Sequence, residues 1–418
     1  MNLLLSNSER QTISAHQAVE QAARNSYGRL LAFLSSRSRD VAAAEDALAE
    51  AFRAALETWP RTGAPEKPEA WLLVTARRRL IDQIRHARVE TEAIPSLLTA
   101  AEEAQRLGDL DTAFPDERLK LLFICAHPAI DAAARTPLML QTVLGLDAAR
   151  IASAFLVKPS AMGQRLTRAK AKIRDAGIRF ELPEAKELPQ RLEAVLEAIY
   201  AAYGSGWEDV AGSDPRRKGL AMEALELGRL LLLLMPAQPE VQGLLALMLH
   251  CEARRAARRS ASGEYVPLSE QDVARWSAAM IDEAEQLLAA AAQAGNPGRF
   301  QLEAAIQSVH AQRARTGRID WEAIALMYEG LVRMVPTVGA LVGRAAAVAE
   351  ARGAAAGWSH LEAIPSEEIK NYQPYWALAA HLLKRIQRLD EAAAAYSRAI
   401  GLCEDPATRE FLTRQSML

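Results

Sequence analysis

The chain has 418 residues, half of them hydrophobic and only 6% aromatic, with a net charge of −2. That length accommodates two to four domains of about 100–200 residues each, and the near-zero charge excludes a chain that is basic throughout. Abundant alanine and the lack of β-branched runs with period-two alternation predict an all-α protein.

The charge is unevenly spread. Residues 1–180 carry 25 Lys/Arg against 21 Asp/Glu, whereas residues 181–418 carry 25 against 31, which points to different partners for the two halves. The three cysteines, Cys125, Cys251 and Cys403, lie far apart with no CxxC or histidine spacing, so neither a disulfide framework nor a zinc site is expected. The start "MNLLLSNSER" lacks a basic region ahead of an apolar stretch. The longest apolar run, "LLLLLMP" at 230–236, falls short of the roughly 20 residues a membrane span needs. A soluble, cytoplasmic protein with no cofactor is expected.

In chain order, residues 12–59 read as helices. Within "DVAAAEDALAEAFRAALETWP", Asp40 is placed to cap a helix whose apolar stripe is Val41, Ala44, Leu48, Phe52 and Leu56. Pro60 and Gly63 are expected to end it. A helix over 68–88 begins with proline and an acid and presents Trp71, Leu72, Val74, Leu80, Ile81 and Ile84 as its apolar face. Its segment "TARRRLIDQIRHAR" places Arg77, Arg78, Arg79, Arg85 and Arg88 against Asp82 alone. Beside Trp59 and Trp71, such a basic helix suits unstacked single-stranded bases, through stacking and cation–π contact; the alternative for Trp71 is a place in the core. Residues 89–113 are acidic and weakly patterned, as in a linker.

Residues 116–177 form a second helical unit. "DAARIASAFL", capped by Asp147, and the helix 159–174, joined through "LVKP", give a helix-turn-helix outline. In the second helix Met162, Leu166, Ala169 and Ile173 define the buried face. Opposite lie Ser160, Gln164, Thr167 and Arg168, side chains able to address base edges, flanked by Arg165, Lys170, Lys172 and Arg174, which suit phosphates. The competing reading is a solvated basic edge on an ordinary helical hairpin. "FELPEAKELP" at 180–189 marks a boundary. Beyond it helices are expected, with breaks at 211–216, 260–269, 295–298, 336 and 352–358, and a loose repeat with Pro236, Pro336 and Pro406 near multiples of a 34-residue period. Helical hairpins stacked into a solenoid fit this, with a generic bundle as the alternative.

No P-loop, GxGxxG, HExxH or GxSxG motif occurs, so no enzyme is expected. Cys125 with His127, and His250 with Cys251, read as packed structural residues, and Glu45, Asp46 and Glu50 as a solvated or partner-facing acidic edge.

"AAEDALAEAFRAALETWPRTGAPEKPEAWLLVTARRRLIDQIRHAR" resembles region 2 of the extracytoplasmic-function (ECF) sigma factors of bacterial RNA polymerase. "DERLKLLFICAHPAIDAAARTPLMLQTVLGLDAARIASAFLVKPSAMGQRLTRAKAKIRDAG" resembles their region 4. "FICAHPAI", "AFLV" and "QRLTRAKAKIRDAGI" are similar to the subgroup with a long tetratricopeptide (TPR)-like C-terminal extension. The resemblance implies an all-α protein with region 2 over 1–90, a linker over 91–115, region 4 over 116–180 and a TPR-like regulatory domain over 190–418. It implies that Asp46, Glu50 and Phe52 dock on the β′ clamp helices of core polymerase and that region 4 approaches the β flap. Trp71, Arg77, Arg78, Arg79 and Arg85 would then open and read the −10 promoter element. Ser160, Gln164, Arg165, Thr167, Arg168, Lys170 and Lys172 would read the −35 element, and the C-terminal array would take a peptide or protein ligand. Arg78 stands where the family has Asn, and "AIYAAYGSGWED" where it has Asn-Glu-Gly-Tyr. The alternatives are a helical-repeat scaffold and a DNA-binding regulator that does not act with polymerase.

Overall fold

A computed structural model describes residues 7–88, 114–155, 157–208 and 219–417, with side chains described in these ranges except at 7–11, 83–88, 154 and 208. Among the described residues the protein is all-α: no strand forms, and the only β feature is one isolated bridge between Arg259 and Tyr265. The expected linker 91–115 lies almost wholly outside the described residues, as does the break at 211–216.

The residues up to Gly206, together with the segment ending at Leu227, form one compact unit, and Trp207 with Gly228 onward a second. In the first unit α1 (Asn7–Ser38), α2 (Val41–Thr62) and α3 (Pro68–Arg88) pack as a three-helix bundle. Asp40 caps α2, accepting from the amides of Ala42 at 2.9 Å and Ala43 at 3.1 Å. This satisfies two of the donors that a helix start leaves unpaired. The α2 core stripe is Val41, Ala44, Ala47, Leu48, Ala51, Ala55 and Trp59. Phe52 is half-buried and Leu56 is 43% exposed, so the stripe drawn through them from the sequence is corrected. Contact on both sides, with α1 and α3, favours alanines that let helix axes approach closely. Nor does Pro60 end α2; the helix continues to Thr62 and stops at Gly63, whose φ of +83° suits glycine.

Phe114 stacks edge-on against Phe33 at 5.6 Å and lies under Arg29, anchoring the chain as it leaves the linker. Then follow α4 (Arg118–Cys125), α5 (Ala132–Thr142), α6 (Ala148–Ala154) and α7 (Pro159–Asp175). Also in this unit are α8 (Leu188–Glu208) up to Gly206 and the first two turns of α9 (Leu220–Leu234). The units thus divide inside the segment expected to open the C-terminal domain.

The second unit is a succession of helical hairpins. It contains the rest of α9, then α10 (Pro239–Glu252), an irregular stretch with short 3-10 turns, α11 (Ala278–Ala292), α12 (Arg299–Ala311), α13 (Trp321–Met334), α14 (Val338–Arg352), α15 (Ala354–Glu362), α16 (Gln373–Arg385), α17 (Leu389–Leu402) and α18 (Pro406–Met417). Pro236 and Pro336 fall between helices, whereas Pro406 starts one. The break expected at 352–358 shrinks to Gly353, with φ +100°, and 354–362 is helical. Apolar contacts continue from α12 to α14 and again from α14 to α18, as expected when each hairpin buries its face on the next.

Candidate nucleic-acid and polymerase interface

α7 starts at Pro159, where a missing amide costs nothing. The backbone amide of Val157 donates to Ala152 O at 2.9 Å and closes the turn from α6, itself capped by Asp147. Met162, Leu166, Ala169 and Ile173 are all buried, as the period predicts. Ser160, Gln164, Thr167, Arg168 and Lys172 are exposed on the other side. Thr167 Oγ1 donates to Gly163 O at 3.0 Å and Arg168 Nε to Gln164 O at 3.4 Å, both within the helix. Arg165 is half-buried, reaching Ala133 O at 3.4 Å. The expected DNA face therefore lies in solvent, with one difference. Lys170 is only 12% exposed and pairs with Glu45 of α2, and Arg174 lies 3.8 Å from Asp40.

On α3, Arg78 and Arg79 are exposed. Arg77 is half-buried, and burial together with nearby Arg37 lowers its pKa. The side chains of Arg85 and Arg88 lie outside the described residues. Trp71 is half-buried, edge-to-face with the buried Trp59 at 5.4 Å. On α2, Asp46 is exposed and Glu50 is bonded to Arg53 at 2.6 Å, which holds the Glu50 carboxyl below its usual range. Phe52 and Leu56 add apolar surface along the same helix.

Sequence reasoning missed the polar knot under α4. The Arg118 side chain is 3% exposed, bonded to Asp116 at 2.6 Å and to Glu223 at the start of α9, with Glu226 at 3.6 Å. Burial opposes its charge, but Asp116 and Glu223 hold the guanidinium protonated with a raised pKa. Arg191 of α8 donates to Phe123 O at 3.3 Å. The one available signal was an arginine opening "RLKLLFIC", a helix whose other residues are apolar except Lys120. Cys125 is buried, its thiol pushed up to about 12 by desolvation and facing Thr142 at 3.6 Å. His127 Nδ1 instead accepts from the Ala129 amide, so the two do not form a reactive pair. Among the described residues no group of acids, histidines or cysteines is arranged to hold a metal, and no helix is long and apolar enough to cross a membrane.

Comparison with known proteins fits this geometry. The family described as sigma-70 region 2 matches residues 23–89, which span α2, α3 and the end of α1. Residues 23–89 thus carry a sigma-70 region 2. Such a region supports a sigma-70 family factor, with RNA polymerase core and promoter DNA as the implied partners and a role in transcription initiation. A family of unknown function (DUF6596) matches residues 191–292. An uncharacterized protein of Rhizobium meliloti (strain 1021) is 39% identical to the chain over 381 residues, 90% of either chain, so the two share one family along nearly their whole length. No solved structure matches the chain.

Proposed function

We propose that the protein is an ECF-type sigma factor that directs bacterial RNA polymerase to specific promoters, with a fused C-terminal regulatory array of TPR-like hairpins. The observation that carries this is α7: its apolar stripe is buried while Gln164, Thr167 and Arg168 face solvent, the disposition a groove-entering helix needs. Polymerase holds α3 and α7 on one promoter. α7 docks on duplex at −35, while α3, through Arg77, Arg78, Arg79, Arg85 and Trp71, captures an unstacked −10 base, at a cost of a few kcal/mol for unstacking. Asp46, Glu50 and Phe52 dock on the β′ clamp helices, and the second unit receives a peptide or protein signal.

The experiment is in vitro transcription with purified core polymerase and a genomic fragment library. A sigma factor forms open complexes only when core is present; a repressor binds duplex alone, and that result would remove this reading. The regulatory role is tested by ending the chain just after Leu227. A truncation near residue 185 would also remove Arg191 and Glu223, both bonded within the first unit, and so confuse regulation with unfolding. Transcription at an unchanged level after truncation at 227 counts against a regulatory domain.

A further inference from the structure

After α10 the chain makes a small antiparallel finger. The Val266 amide donates to Arg258 O and the Ser260 amide to Glu264 O, both at 3.0 Å, around the bridge between Arg259 and Tyr265. Gly263, with φ +87°, turns the tip. The finger lands on the far end of the array. Asp405, between α17 and α18, caps α18 through Oδ2, which accepts from the Thr408 amide at 2.7 Å. Its Oδ1 accepts from Arg259 at 2.6 Å, 146 residues away in the chain. The Phe411 ring stands edge-on to Tyr265 at 5.2 Å, and Arg414 pairs with Glu264. The start and face of α18 thus present an anion, a ring and a cation together, and a finger residue of complementary chemistry meets each one.

The finger is held unequally. Arg258 donates to Trp207 O, Arg275 to Arg259 O, and Arg313 to Ser269 O and Gln271 O, which fixes its base and the returning chain. The tip has one edge-on ring contact and the Glu264–Arg414 pair, nearly half exposed on both sides, which contributes little. Arg259, whose carbonyl Arg275 holds, can yield Asp405 to another cation by side-chain rotation alone. The α18 side is fixed in its own right, since Phe411 packs on the α14–α18 core and Thr408 holds Asp405. The tip can therefore leave without unfolding the array, and it uncovers a surface already arranged for binding.

We propose that this α18 surface is the peptide site of the second unit and that the finger Arg258–Val266 is its internal ligand. The partner is a short peptide carrying a basic residue and an acidic–aromatic pair that meet Asp405, Arg414 and Phe411 together. This rests on the reading above that the second unit receives a peptide signal, and it names the chemistry of that signal.

The test uses the full-length chain and a labelled synthetic peptide of residues 257–268, read by fluorescence anisotropy. The wild type should bind it weakly, because the tip must first leave. Glu264→Gln with Tyr265→Ala, which loosens the tip, should tighten binding at least tenfold. Adding Arg414→Gln and Phe411→Leu, which keeps apolar bulk on the core, should remove that gain. A peptide of the same residues in scrambled order should bind both chains equally. Equal binding of the unscrambled peptide by wild type and loosened chain, or a gain that survives the α18 changes, overturns the site. Should the loosened chain lose its helical signal, hydrogen exchange of the wild type decides. Excess peptide should speed exchange of the Val266 amide at least threefold, and an unchanged rate overturns the proposal. Transcription with core polymerase is read separately. A bound peptide that leaves it unchanged removes the regulatory reading and keeps the site. Absent binding removes the site, and truncation after Leu227 still judges regulation.

Discussion

Arginines in the two units do different work. In the first, Arg78, Arg79 and Arg168 stand exposed on helix faces. In the second, they fasten the irregular stretch after α10. Arg258 donates to Trp207 O at 2.5 Å with its guanidinium 4.0 Å from the ring, Arg275 donates to Arg259 O at 2.8 Å, and Arg313 to Ser269 O at 2.5 Å and Gln271 O at 2.6 Å. Burial pushes the Arg258 pKa down to about 10. Runs such as "ARRRL" and "ARRAARR" look equally basic on the page. The helical run reaches water; in the other, Arg258 is turned onto a carbonyl of α8, while carbonyls of the irregular stretch take their donors from Arg275 and Arg313. A count of basic residues therefore says little about where a nucleic acid can bind until the backbone conformation is known.

The largest effect expected within this contrast is at Arg118, the one arginine of the first unit buried in a knot of acids. Arg118→Met leaves Asp116 and Glu223 without their cation and should cost about 3–5 kcal/mol of first-unit stability, read by urea unfolding with hydrogen exchange resolved by segment. Intact protection of α4 in this variant would show that the knot contributes little.

Next comes pH. Desolvation, with Arg254 nearby, pushes the buried His250 and His310 down to about 4; Glu285, 3.6 Å from His250 and 41% exposed, does not offset this. Unfolded histidine titrates near 6.5. Between those values the unfolded chain binds protons that the folded one does not, so stability is full above about pH 6.5 and falls as the pH drops toward 4. The loss is up to about 3 kcal/mol per histidine. The thermal midpoint of the second unit should follow that slope, and His250→Asn should flatten it; a midpoint level from pH 7 to 4.5 would contradict the assignment.

Arg258→Ala should cost about 2 kcal/mol, from a lost hydrogen bond to a carbonyl and a lost cation–π contact, seen as faster exchange in 253–277. Arg168→Ala should reverse that pattern, with stability unchanged and promoter binding weaker by about 1–3 kcal/mol with relaxed base choice. Full transcription from a matched promoter would exclude it as a base reader. The smallest effect belongs to Arg78→Ala. It should leave stability within about 0.5 kcal/mol and lower the salt slope of polymerase–promoter binding by about 1.

How far the sequence could be read varied from helix to helix. In α7 the four buried residues were legible because large apolar side chains recur at the helical period amid polar ones. In α2 the same rule misled: Phe52 and Leu56 outweigh alanine in hydrophobicity, yet the space between α1 and α3 admits Ala51 and Ala55. Pairing of Lys170 with Glu45, 125 residues apart, and of Arg118 with Glu223, 105 apart, has no local pattern and could not be read.

By itself the sequence determined the helical class, the capped starts at Asp40 and Asp147, and the side of α7 that carries Gln164, Thr167 and Arg168, since each follows from neighbours within a turn or two of chain. Tertiary structure alone decided which cations remain available. An ion pair between distant segments forms only where the fold brings them together, and that Lys170 of α7 meets Glu45 of α2 is something no local spacing encodes.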